Sequence, residues 1–132
     1  MKKIIVLSLL LIVGNCANAA GYCPTPNEFQ SKMQYFQAKA LRLMSTNVSE
    51  QEADAYLKEQ DNYLNSIFPG CIQYFQTSPA PDCSKMQTMA TSYIMLDKAK
   101  KPAAKNRINS LPSSLQDKCS VDYKTMQIFL QD

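Results

Sequence analysis

The chain has 132 residues, with 14 Lys and Arg against 11 Asp and Glu, five cysteines, and neither histidine nor tryptophan. Without imidazole, Ser-His-Asp and Cys-His catalytic arrangements and histidine-based zinc sites are excluded. The formal charge is only +3, and two of those charges are Lys2 and Lys3, too few for the strong basic face of a nucleic-acid binder.

Met1-Lys2-Lys3 precedes an apolar run from Ile4 to Val13, broken only by Ser8, and Ala17-Asn18-Ala19 follows. A basic start, a short apolar core and small residues at the cleavage positions define a secretory signal peptide, cleaved after Ala19 or Ala20. The run is half the length, about 20 residues, that a membrane-spanning helix needs, so no transmembrane anchor is expected. Cys16 stands where a lipoprotein carries its acylated cysteine, but such processing reads small residues just before it, and here Asn15 directly precedes it, with Val13 and Gly14 before that. Cys16 is therefore expected to leave with the signal, dividing the chain into residues 1–19, the signal, and 20–132, one helical domain. Losing Lys2 and Lys3 also lowers the charge to +1.

In Thr25-Pro26-Asn27-Glu28, a threonine cap, a proline at the first helical position and a glutamate at the third mark a helix start. Phe29, Met33, Phe36, Ala40, Leu43 and Met44 then draw one apolar stripe to about residue 45. Ser49-Glu50-Gln51-Glu52 repeats the capping pattern and opens a second helix. Its stripe, through Ala53, Tyr56, Leu57, Tyr63, Leu64 and Ile67, is expected to stop at Phe68-Pro69-Gly70. The sequon Asn47-Val48-Ser49 falls between these helices and reads as a turn and cap. CIQYFQTSPAPDC, residues 71–83, reads as a short helix or irregular loop.

Asp82 or Ser84 caps a third helix, in which Met86, Met89, Ala90, Tyr93, Ile94 and Leu96 keep the period to about residue 100. Pro102 restarts a short helix over 102–110, and Leu111-Pro112 ends it. A last helix is expected over about 120–131, with a strand possible near its start. The fold class is all-α: a small bundle of four to five helices, arranged as two antiparallel hairpins.

Four cysteines remain after cleavage, and an even number in a small exported domain reads as two disulfides. Cys23 precedes the first helix and Cys71 follows the second, while Cys83 opens the third and Cys119 follows its return partner. The favoured pairing is Cys23–Cys71 and Cys83–Cys119, each clipping a hairpin at its open end; the rival joins Cys71 to Cys83. No pair has CxxC redox spacing, and no glycine-rich phosphate loop exists.

Glycoside hydrolysis needs two converging carboxylates, one of them in an apolar pocket. Glu28, Glu50, Glu52, Asp54, Glu59 and Asp61 are the candidates, although capping and solvated helix faces account for nearly all of them. Thioethers bind Cu(I), yet Met33, Met44, Met86, Met89 and Met126 fall on core stripes, leaving Met95 off the stripe. No catalytic residue, metal ligand or cofactor is assigned, and the chain is not expected to be an enzyme.

Lys98, Lys100, Lys101, Lys105 and Arg107 form a basic segment free of acids, whereas residues 50–61 carry five acids against Lys58. Opposed patches of this kind steer charged partners, and the basic segment is the candidate contact surface. In size, signal, helicity and cysteine usage the layout is similar to small helical periplasmic inhibitors and toxin-immunity proteins, with no motif of either matched. The expectation is a periplasmic or secreted binding protein that engages a protein partner in the cell envelope. A small carboxylate-based cell-wall hydrolase and a structural or accessory subunit of an envelope assembly are the alternatives.

Overall fold

The structure is a computed structural model describing residues 22–131; the expected signal peptide and Cys16 lie outside the described residues. Six α-helices and one 3-10 turn follow in order, with no strand among the described residues: α1 (Pro26–Ser45), α2 (Glu50–Thr77), α3 (Lys85–Ile94), the 3-10 turn Lys98–Lys100, α4 (Lys101–Asn109), α5 (Leu115–Lys118) and α6 (Ser120–Phe129). The all-α expectation holds, and the last segment is helical from its start. No helix among the described residues is long and apolar enough to cross a membrane.

The capping chemistry read from the sequence fixes the start of α1. The Glu28 N–H donates to Thr25 Oγ1 at 3.2 Å, and the Thr25 N–H donates to Glu28 Oε1 at 3.1 Å. That backbone donor, followed by the Thr25 side chain, holds the Glu28 carboxyl below its usual value. At α2 the Glu52 N–H donates to Ser49 Oγ at 3.2 Å. Ahead of α3 it is Asp82, not Ser84, that accepts, taking the Ser84 N–H at 3.0 Å and its hydroxyl at 2.7 Å.

α1 and α2 run antiparallel and are zipped by aromatic rings. Phe36 lies 5.7 Å from Tyr63 and 6.2 Å from Tyr56 between ring centroids, and Phe29 stacks on Tyr63 at 6.3 Å. The Tyr56 hydroxyl donates to the Phe36 carbonyl at 3.0 Å. Tilted and edge-on pairs such as Phe36 with Tyr56 add about 0.5–1.5 kcal/mol each beyond their burial.

The first correction concerns α2, which does not stop at Phe68-Pro69-Gly70 but continues through Pro69 to Thr77. Proline cannot donate to the carbonyl four residues back and costs ~3 kcal/mol in a helix interior. Here Ile67, Phe68, Cys71, Ile72 and Phe75 are all buried on both sides of it, and burying each large apolar side chain contributes about 1.5–3 kcal/mol. The continuous stripe outweighs the single break. Gly70 has a different reason to be small: a Cβ built on it would overlap the carbonyl oxygen of Tyr22, so the segment leading into α1 lies directly against α2. Cys71 accordingly sits inside α2 rather than after it.

The second correction is at the far end of the hairpin. Met44, assigned to the core stripe, is 82% exposed, and Leu57 is 53% exposed. The core draws on the start of α1, the second half of α2 and the elements from α3 to α6. Among the described residues, no residue of α1 beyond Met33 belongs to that core or is packed against it. Third, α3 ends at Ile94 rather than near 100: Leu96 N–H donates to the Tyr93 carbonyl at 3.1 Å and Asp97 turns extended before the 3-10 turn. The bend returns Leu96 to the core.

Both favoured disulfides are present, Cys23–Cys71 with Cα atoms 4.6 Å apart and Cys83–Cys119 at 5.4 Å. The rival Cys71–Cys83 pairing is not formed. Two structural disulfides are what an oxidising, extracytoplasmic compartment sustains.

Candidate functional site: a basic-rimmed apolar cleft

Lys100, at the end of the 3-10 turn, and Ala103, Ala104 and Arg107 of α4 recur at spacings of three, one and three, which places them on one helical face. That face is turned toward the second half of α2. Between them lies a cleft of about 230 Å³, floored by Phe68 and Leu96, walled in part by Pro69 and flanked by Lys100 and Arg107. Phe68 is buried and its ring centroid lies 6.4 Å from that of Tyr93, which fixes the floor from below. Pro69 is exposed, and its ring forms part of the wall.

The basic segment is thereby divided. Lys100 and Arg107 line the cleft; Lys98 and Lys105 are exposed but do not line it. Lys101 is half-buried, with its ammonium 5.8 Å from the centroid of the Tyr93 ring. The apolar floor was not legible from sequence, because reading Pro69 as a helix end separates Phe68 from α4. The spacing of 100, 103, 104 and 107 was the available signal.

A larger, shallower concavity of about 670 Å³ lies beside the start of α1, bordered by Tyr22, Asn27, Glu28, Lys32, Tyr35 and Tyr63. The Lys32 ammonium sits 4.6 Å from the ring centroid of Tyr35, 5.3 Å from Phe36 and 5.5 Å from Tyr63, a cation on an aromatic bed. Burial, reinforced by Tyr22 and Glu28, pushes the Tyr63 phenol up to about 12.

The six candidate carboxylates are all exposed. Glu28 is held in the capping box, and Glu59 accepts from Lys39 Nζ and from the Tyr35 hydroxyl, each at 3.3 Å. Of the six, Glu28 borders the tyrosine-lined concavity, and the capping hydrogen bonds that lower its carboxyl work against the retained proton a general acid needs. Met86, Met89 and Met126 are buried, Met33 is half-buried, and Met44 and Met95 are exposed. Among the described residues, no group of three His, Cys, Asp or Glu side chains is placed to hold a metal ion.

What the cleft offers chemically is recognition. Lys100 supplies a point charge and Arg107 a planar fork able to take a carboxylate through two hydrogen bonds, beside apolar surface that excludes water. Comparison with protein-family models gives no match, and no similar chain is found among curated proteins or solved structures.

Proposed function

We propose that the protein is a periplasmic or secreted binding protein that engages a protein partner in the cell envelope, in the manner of an inhibitor or a toxin-immunity protein. The observation that carries this reading is the cleft of Phe68, Pro69 and Leu96 with Lys100 and Arg107 at its rim. A compact apolar centre with a charged rim is the anatomy of an interaction surface, the centre supplying most of the affinity and the rim the selection and steering. The partner's complementary feature is an apolar side chain flanked by carboxylates.

Rigidity supports the same role. Cys23–Cys71 ties the entry of α1 to α2, and Cys83–Cys119 ties the entry of α3 to the junction of α5 and α6. A surface held in its bound shape loses less conformational entropy on association.

The test is affinity capture from envelope extract with the mature, oxidised protein. One stoichiometric partner is expected with the wild type, and loss of that partner with K100E/R107E. A control pair, R42E/K124E, changes the net charge equally at exposed basic residues away from the cleft and keeps the partner. Equal capture by wild type and K100E/R107E would remove the cleft from the binding surface.

A further inference from the structure

Glu50, Asp54, Leu57 and Asp61 follow one another on α2 at i, i+4, i+7 and i+11, which puts them on a single ridge of the helix. All four are exposed. Asn65 and Phe68 continue the same ridge, and both line the basic-rimmed cleft. The molecule thus carries, along one helix edge, an apolar knob between acids and an apolar cleft between bases. Knob and cleft are 11 residues apart, roughly 16 Å along the axis at 1.5 Å per residue.

The two motifs match in scale as well as in sign. Asp54 and Asp61 stand seven residues apart with Leu57 and the exposed Lys58 between them, so the acids outnumber the one base there; Lys100 and Arg107 stand seven residues apart with the cleft between them. Seven helical residues span about 10 Å in either case. A patch carrying both a motif and its complement, side by side on one face, is what a two-fold interface requires, because each contact is then made twice by symmetry.

We infer that a second copy of this chain docks on that face: α2 packs antiparallel against its counterpart, Leu57 of each copy enters the other's cleft, and Asp54 and Asp61 meet Lys100 and Arg107. The inference uses the cleft on which the proposed function rests. A self-associated pair covers that cleft, and an envelope partner has to displace the second copy to reach it.

The test is sedimentation equilibrium of the oxidised mature chain at low and high salt. Wild type is expected to show a concentration-dependent doubling of mass, with the dissociation constant rising about tenfold or more between ~50 and ~500 mM salt, since exposed charge pairs are screened over that range. D54K/D61K and K100E/R107E are each expected to be monomeric, because each places like charges across both contacts. An equimolar mixture of the two restores the dimer, one contact being native and the other reversed in sign. L57D is also expected to be monomeric, and its cleft remains intact. All these side chains are exposed, so unchanged far-ultraviolet dichroism and melting identify a folded variant.

Wild type that stays monomeric throughout would overturn the inference, as would a dimer that survives both charge reversals or a mixture that fails to associate. The proposed function is separated by L57D: a monomeric L57D that still captures the envelope partner supports both readings. Monomeric wild type that captures the partner refutes self-association alone. Dimeric wild type from which neither it nor L57D captures a partner refutes the partner reading alone.

Discussion

Replacing Gly70 by alanine puts two effects in opposition. Gly70 is seven residues from the end of α2, and alanine at an interior helix position ordinarily stabilises by up to ~1 kcal/mol relative to glycine. At this site the added methyl would overlap the Tyr22 carbonyl oxygen and stand 3.1 Å from the carbonyl carbon. The obstacle is backbone, and Cys23, the next residue, is covalently fixed to Cys71, the residue following Gly70. The Tyr22 segment therefore cannot swing aside. Overpacking of this kind costs about 1–3 kcal/mol, so the net expectation is a loss of about 1–2 kcal/mol, or a fall in melting temperature of ~4 °C or more for each kcal/mol in a domain of this size. Thermal and urea melts of oxidised G70A against wild type measure it. In a C23A/C71A background the Tyr22 segment is released, and the penalty should shrink toward zero or reverse in a double-mutant cycle. A G70A protein that melts at or above wild type would refute the close-approach reading.

Removing Cys23–Cys71 as C23A/C71A frees a loop of 48 residues, for which the chain-entropy contribution is about 4 kcal/mol; urea unfolding should show a loss of about 2–4 kcal/mol. The Thr88 hydroxyl is buried and has no hydrogen-bond partner among the described residues, so T88V should be neutral or raise stability by up to ~1 kcal/mol, and a loss larger than that would mean the hydroxyl is satisfied. P69A restores a helix donor and should raise the melting temperature while weakening partner capture, because Pro69 forms part of the cleft wall. Tyr63 stays neutral until about 12 rather than its usual 10, so its contribution is fully present below pH 10 and lost as pH rises through about 12. The phenolate absorbance step abolished by Y63F should have its midpoint near 12, and a midpoint at 10 would contradict the burial.

Most of the local structure was legible because it rests on short-range chemistry. Thr25 with Glu28 and Ser49 with Glu52 placed two helix starts, and the 3.6-residue stripes placed the helices between them. The disulfide pairing followed from which helix ends an antiparallel hairpin brings together. What failed depended on tertiary packing. Pro69 reads locally as a stop, and only the burial of Phe68, Cys71, Ile72 and Phe75 around it explains why α2 continues. Met44 and Leu57 belong to amphipathic stripes like those of buried residues, but among the described residues both are exposed and lie outside the core. Lys98, Lys100, Lys101, Lys105 and Arg107 formed one segment by composition; the turn of α4 against α2 selects Lys100 and Arg107 for the cleft.

On the proposed function, Lys100 and Arg107, with Phe68, Pro69 and Leu96 between them, bind an envelope partner. Calorimetric titration of the captured partner, once isolated, into oxidised wild type, K100E/R107E and R42E/K124E tests whether they do. A wild-type affinity that falls at least tenfold in K100E/R107E and is kept in R42E/K124E is the predicted result. Equal affinities for all three would contradict it.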